Sequence, residues 1–426
     1  MRILVEPSSG HCLNAGDVAM LQVAYCRFRT LWPGASIHIL TSAPALLEQY
    51  CPGAIPIDAQ ARSAFFESGS IATRLQRLLP KTISGRFGEF EYHCRQRVPL
   101  LTRTILKLYK PQQDEALVEY LEALRQSNLV VATGAGQITD PFAGTAAMVL
   151  NTLQLAVRWK IPAILLGQGI GPITDAALTA RCRSVLPRMN LITLREGRCG
   201  LPILRAAGVR PHRVIVTGDE ACEAGFERRP KELGRAIGIN VRMASYAGVE
   251  RTYTAVLRRA IHHTARELGA PLAAIPISHH SRESDMEGIR CILQEYSNVL
   301  PFNTGLPVAS AIEQAGRCRI VVTGSYHGAV FALSQGVTVV GLTNSDYYTA
   351  KFEGLIEQFG VGCRYIRMKD PEFPPRLEEA IREGWEAAPG NRSQLLEATA
   401  RQVQLGREAY RRVHEEVQST ICASAQ

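Results

Sequence analysis

The sequence predicts an α/β protein made of two doubly wound parallel sheets that face each other across a cleft. Three observations carry this expectation. Short apolar runs alternate with Gly or polar turns and then helical stretches, the rhythm of βαβ units that place ligands at the C-terminal ends of their strands. The chain has 426 residues, more than one ordinary hydrophobic core accommodates, so two domains are expected. Between two series of such units lies a charged, Pro-containing stretch, GFERRPKEL at 225–233, that suits an inter-domain linker. The expected division is 1–226 and 235–426.

Residues 3–5 read as the first strand, 18–31 as an amphipathic helix and 37–41 as a second strand. The runs at 129–133, 163–167, Leu191–Leu194 and 214–217 are apolar enough for strands buried on both faces, each closed by a turn. Helical stretches at 144–160, 178–188 and 200–207 connect them. Residues 60–115 break the rhythm. Rich in Arg, Lys, Phe and Tyr and without a clear strand, they read as a helical insertion, a lid or substrate-facing flap. The second unit continues with strands at 237–241, 272–277, 320–323 and 337–342. Its helices are expected at 253–268, 285–296, Val308–Gly316 and 327–335. From about Pro374 the tail is helical and charged, which suits a terminal helix crossing back onto the first domain.

Composition narrows the function. Lys+Arg 48 against Asp+Glu 39 gives a net charge of +9, which favours anionic partners: phosphorylated small molecules, phospholipid-linked glycans or nucleic acid. No dense basic block with interleaved aromatics appears, so nucleic acid is not expected. The 11 cysteines are scattered, odd in number and without CxxC or zinc-ligand spacing, which fits reduced thiols in a reducing compartment. The apolar start MRILVEP is too short for a signal-peptide core, and no run approaches the ~20 apolar residues that span a bilayer. A cytoplasmic protein is expected, its charge compatible with peripheral membrane contact. His and carboxylate clusters with metal-ligand spacing are missing, so neither metal nor cofactor is expected.

Five constellations sit where a strand hands over to a loop or helix. In LNAGD at 13–17, Gly16 permits a tight backbone and Asn14 or Asp17 can cap the following helix, whose positive end would face a ligand. In TGAGQITD at 133–140, Gly134 and Gly136 let a ligand or facing domain approach the backbone, although neither a P-loop nor a dinucleotide fingerprint is matched. GQGIGP at 167–172, with Gln168, reads as a constrained turn at the sheet edge, set by packing or by a ligand. Arg195 in TLRE at 193–196 would point its planar fork at a carboxylate or phosphate, or else pair with Glu196 or Asp219. The fifth is the run 320–333, in which Ser325, Tyr326, His327 and Gly328 open a small-residue helix and place His327 at its N-terminus, facing the cleft. Lys351 would add a positive charge to the same pocket, or stand on the surface. His279 and His280 follow the strand at 272–277 on the same edge.

In order and spacing these pieces resemble the polysaccharide pyruvyl transferase family, over roughly residues 10 to 360. The resemblance rests on Asn-x-Gly-Asp at 14–17, the Gly-rich loop ending in Asp140, GQGIGP, Arg195-Glu196 and Tyr326-His327-Gly328-Ala329. It implies two Rossmann-like domains in a GT-B-like arrangement. It also implies transfer of pyruvyl from phosphoenolpyruvate to a sugar or glycan acceptor, lipid-linked or free, in cell-envelope polysaccharide biosynthesis. Carried over by position, Arg195 contacts the donor, with Lys351, Ser325, Tyr326 and Gly328 beside it. His327 serves donor binding or acid catalysis, and Asp17 would act as base on the acceptor hydroxyl. Asn14, Gly16, Gly134, Gly136, Gln168 and His279 would line the cleft. The chain departs from the family pattern at Ser325, where an Arg is usual, at Ala135 in place of a middle Gly, and at Val18 in place of an acid. A serine cannot replace a charged bidentate fork. Either Lys351, Arg242 or Arg282 compensates, or the donor differs. The alternative activities are a GT-B-like glycosyltransferase with a nucleotide-sugar donor and a non-catalytic binding homologue.

Overall fold

The computed structural model describes residues 1–66, 114–242, 251–280, 284–303, 305 and 308–425. Most of the expected insertion, and Arg282, lie outside the described residues.

The first half runs β1 (Arg2–Glu6), α1 (Ala15–Leu31), β2 (Ser36–Thr41), α2 (Pro44–Tyr50), β3 (Ile55–Asp58), α3 (Ala59–Phe66), α4 (Asp114–Arg125), β4 (Leu129–Ala132) and β5 (Ala135–Ile138). It continues with α5 (Ala143–Arg158), β6 (Ala163–Ile170), α6 (Ala176–Val185), β7 (Leu191–Leu194), α7 (Gly200–Ala206), β8 (Val214–Val216) and α8 (Ala221–Glu227). Its strands form a parallel sheet in the order β3-β2-β1-β4-β6-β7-β8, with β5 paired to β6. The order reverses between β1 and β4, the switch point of a Rossmann-like sheet, where loops diverge and leave a crevice.

The second half comprises β9 (Ala236–Asn240), α9 (Arg251–Glu267), β10 (Leu272–Ala274), α10 (Asp285–Leu293), α11 (Val308–Gly316), β11 (Cys318–Thr323), α12 (Tyr326–Leu333), β12 (Thr338–Thr343), α13 (Asp346–Phe359), β13 (Cys363–Arg367) and α14 (Phe373–Ala425). Its sheet, β10-β9-β11-β12-β13, is also parallel and has its switch point between β9 and β11.

Local sequence explains the elements that frame the cleft. Asn14 caps α1, its side chain accepting from the Gly16 and Asp17 N–H groups. Beyond Tyr326 and His327, α12 is apolar all round, and all eight of its residues are buried, since it lies between the sheet and the first half. Ser325 caps it and Ser345 caps α13, which ends at Gly360 with a positive φ of 75°.

Two expectations are corrected. The stretch 133–140 is not wholly loop, because Ala135–Ile138 forms β5. The strand expected to close at 167 continues through Ile170, with all eight residues buried. Pairing decides this: Gln168 lies opposite Ala135 of β5 and Leu194 of β7, so neighbours on both sides hold the strand beyond the irregularity at Gly167, whose φ is 57°. The turn follows at Gly171, whose φ is 94°.

The halves are joined by main chain. The Ala15 N–H donates to the Ile277 carbonyl and the His279 N–H to the Leu13 carbonyl, both at 2.8 Å. α14 packs on α9, β11 and β12 of its own half and reaches α1 and α8 of the first. Among the described residues no helix is long and apolar enough to cross a membrane. Nine cysteines among the described residues, Cys12 to Cys363, are free thiols.

Candidate active site

The C-terminal ends of both switch points converge on one cavity of about 410 Å³. β1 leads into Ser8–His11 and then Asn14 and Asp17, β5 contributes Gly136 and Gln137, and β7 is followed by Arg195. From the second half, β9 leads into Arg242, β11 into Ser325, Tyr326 and His327, and the first turns of α13 bring Tyr347, Tyr348 and Lys351.

Arg195 is 3 % exposed and held on all sides. A Cβ at Gly136 would come within 2.4 Å of its Nη2, and one at Gly169 within 2.6 Å of its Nε. These glycines are therefore required so that the guanidinium can lie against the strands. Its Cζ stands 4.0 Å from the Tyr326 ring centroid and its Nη1 3.6 Å from Asp219 Oδ2. Arg195 thus lines the cavity and also pairs with Asp219. Burial works against its charge, but Tyr326 and Asp219 outweigh burial and raise its pKa above the ordinary value.

His327 shares that aspartate. Its Nε2 lies 3.7 Å from Asp219 Oδ2, and the ring packs against Gly16 at the start of α1. Burial by itself would raise the pKa of Asp219. His327 and Arg195 overcome this and hold its pKa below the usual carboxylate value. The result is an imidazole set beside an ionised carboxylate, the arrangement that orients a proton donor.

Arg242 is fixed from behind by Asp285, which has no exposed surface. Arg242 Nε donates to Oδ1 at 3.0 Å and Nη2 to Oδ2 at 3.3 Å. Asn240 Nδ2 and the Ile277 and Ser278 N–H groups also donate to Asp285 Oδ2. Lys351 Nζ stands over the rings of Tyr347 at 4.0 Å, Tyr348 at 5.2 Å and Tyr326 at 5.7 Å. Burial, then Arg195 and Arg242, push its pKa well below the ordinary lysine value, against the opposing pull of Asp17 and Asp219. Arg195, Arg242, Lys351 and, from α3, Arg62 line one space together with the positive N-termini of α1, α12 and α13, a field suited to a multiply charged anion. Asp17, accepting from the Ser8 hydroxyl at 3.0 Å, lines the same cavity.

Of the residues expected here, Asn14, Asp17, Gly136, Arg195, Ser325, Tyr326, His327 and Lys351 line the cavity. Five do not. Gly16 lies beneath His327, where a Cβ would meet the ring. Gly134 gives its N–H to Glu220 at 3.3 Å. Gln168 is buried within β6, its amide donating to the carbonyl oxygens of Thr133 and Leu166. His279 spends its N–H on Leu13, and His280 takes the lining position. Gly328 is turned inward, a Cβ there falling 2.6 Å from Thr323 Oγ1. Its N–H is taken by the Ser325 hydroxyl at 3.4 Å, so Ser325 serves chiefly as a helix cap.

Sequence reading gave Asp219 only as a salt-bridge partner and missed Tyr347 and Tyr348. The signal for Asp219 was a Gly-Asp pair closing a strand, with Gly218 at φ 83°. For the tyrosines it was the Ser345 cap that puts them in the first turn of a cleft-edge helix. Tyr347 also bridges the halves, its hydroxyl donating to the Gly136 carbonyl at 3.0 Å.

Solved structures share this architecture over nearly their whole length. UDP-GlcNAc 2-epimerase from Neisseria meningitidis, bound to UDP-GlcNAc, superposes with a TM-score of 0.56 at 11% identity, covering 97% of this chain and 100% of that one. Arabidopsis thaliana UGT89C1 in complex with UDP-L-rhamnose gives 0.55 at 12% identity, covering 98% of each chain. Anabaena HepE in complex with UDP and glucose gives 0.53 at 13% identity, covering 99% and 100%. At such identities the likeness establishes the fold, two Rossmann-like domains in the GT-B arrangement. No curated protein matches the chain by sequence. The polysaccharide pyruvyl transferase family model matches residues 14–347, from the Asn14 cap of α1 to Tyr347 at the cavity wall, so the chain belongs to that family of transferases.

Proposed function

We propose that the protein moves a pyruvyl group from phosphoenolpyruvate to two hydroxyls of a sugar or glycan precursor of the cell envelope, forming a ketal and releasing phosphate. The convergence of Arg195, Arg242 and Lys351 on the cavity that holds the His327–Asp219 pair carries this reading. Phosphoenolpyruvate bears about three negative charges near neutral pH, and preorganised cations in a desolvated cleft stabilise such a ligand and its reaction without reorganising. Ser325 leaves the donor without the arginine usual at that position. Arg242 and Lys351, both on the cavity wall, supply the missing charge.

Asp219 holds His327, and the imidazolium delivers a proton to C3 of the enolpyruvyl group. C2 becomes electron-poor, and the first acceptor hydroxyl adds there as its proton passes to Asp17. The C2–O bond to phosphate then breaks, phosphate leaves with a proton, and the second hydroxyl adds to C2. The two hydroxyl protons are thus balanced by one on the new methyl group and one on phosphate. Arg195 and Lys351 neutralise the departing phosphate, while Arg242 is placed for the carboxylate.

A thermal-shift titration with phosphoenolpyruvate, UDP-, GDP- and CMP-sugars tests the donor, because a ligand of the folded state raises Tm by mass action. A rise with phosphoenolpyruvate that is lost in Arg195→Ala is expected. A rise with a nucleotide sugar alone would replace this reading with glycosyl transfer.

A further inference from the structure

Glu220 takes no part in the chemistry above, yet it lies buried directly behind it, 5 % exposed. Its Oε1 accepts the Tyr410 hydroxyl at 2.5 Å and stands 4.0 Å from Arg27 Nη1. Its Oε2 accepts the Gly134 N–H at 3.3 Å, and a Cβ at Gly134 or Gly167 would fall 2.9 or 3.0 Å from that same oxygen. Two residues further along each segment are Gly136 and Gly169, the glycines that close on the Arg195 guanidinium. Gly167 itself leaves the extended region, with φ 57°. The same two segments, 134–136 and 167–169, thus close on Glu220 at one end and on Arg195 at the other.

Tyr410 comes from α14, which starts beyond β13 in the second half and packs on α1 and α8 of the first. Its ring packs 5.2 Å from that of Phe28, with the Arg27 guanidinium 4.8 Å from its centroid. Arg27 and Arg407 both bind Glu223, which fastens this part of α14 to α1 and α8.

We propose that Tyr410 and Glu220 are positioning residues for Arg195: α14 fixes the Glu220 carboxylate, which sets the spacing of the two glycine segments and hence the orientation of the donor-binding guanidinium. The inference takes from the proposed function only that Arg195 binds an anion. A helix anchored in the second half thereby governs a cation of the first.

The test observes Arg195 itself. In ligand-free protein labelled with 15N-arginine, its Nε–H resonance is identified by its loss in Arg195→Lys. Tyr410→Phe keeps the ring and removes one hydroxyl, and it is expected to shift or broaden that resonance. Glu220→Gln, which retains an acceptor for the Gly134 N–H, is expected to shift it less than Glu220→Ala. In calorimetric titration with phosphoenolpyruvate, Tyr410→Phe should weaken Kd about ten-fold, the scale of one hydrogen bond to a charged group. It should add little loss in an Arg195→Lys background, which keeps a charge for the donor but lacks the guanidinium, because residues acting through one another are non-additive. An unchanged Arg195 resonance in Tyr410→Phe, or the same loss with and without Arg195, overturns the inference. If the wild-type protein binds no phosphoenolpyruvate, the donor reading falls, and the resonance alone still decides the role of Tyr410.

Discussion

Position 16 has no room for a side chain: a Cβ there would lie 1.9 Å from Cγ of His327 and 2.1 Å from its Nδ1. The helix that opens the first half and the imidazole of the second thus meet at a glycine, with Asp219 on the other side of the ring. Gly16→Ala is expected to displace His327 from Asp219. It should cost about 1–3 kcal/mol of stability, the range for overpacking, and lower kcat more than it raises KM for the donor. Chemical denaturation with steady-state kinetics checks both.

His327 and Asp219 should act as a unit. His327→Gln is expected to reduce kcat by about 10²–10⁴, the range for losing a general acid, with the fold intact by circular dichroism. Asp219→Asn should reduce kcat and also weaken donor affinity, because Arg195 loses the same carboxylate. The double variant should be little worse than the worse single one. Near-normal turnover in His327→Gln would remove it from the acid role.

Lys351 links donor binding to protons. Its pKa in the free protein is lowered by burial and by Arg195 and Arg242, and a bound anion raises it again. The liganded form therefore holds more proton than the free form. Affinity is fully present below the free-state pKa and declines as pH rises through the bound-state pKa. Calorimetry in buffers of different ionisation enthalpy should show proton uptake on binding phosphoenolpyruvate, absent in Lys351→Met. For the fold the sign is opposite to a salt-bridged lysine. The unfolded chain binds the extra proton, so this group's contribution to stability grows as pH rises from its lowered pKa toward its ordinary value.

Asp285 receives Arg242, Asn240 and two main-chain N–H groups while fully buried. Asp285→Ala leaves a buried guanidinium without its counter-charge, which costs about 3–5 kcal/mol in comparable sites. Urea unfolding is expected to show that loss, and any protein that folds should bind the donor more weakly.

The alternation of strands and helices was legible because strands buried on both faces read as continuous apolar runs ended by glycine, and the strand ends so located carry Arg195 and His327. The continuation of β6 through Gln168 was not legible. A glycine-rich segment has weak strand preference of its own, and only its two neighbours in the sheet make it extended. The glycines stand out in the sequence, but their reasons lie in partners far along the chain: His327 for Gly16, Glu220 for Gly134 and Arg195 for Gly136. Tyr410 carried no sequence signal, because its role depends on where a helix anchored in the other half comes to rest.

The most direct measurement is a crystal structure of the protein soaked with phosphoenolpyruvate. The account predicts the phosphate between Arg195 and Lys351, the carboxylate at Arg242, and C3 of the enolpyruvyl group within reach of His327. Phosphoenolpyruvate bound away from these residues, or an empty cavity at saturating concentration, would contradict it.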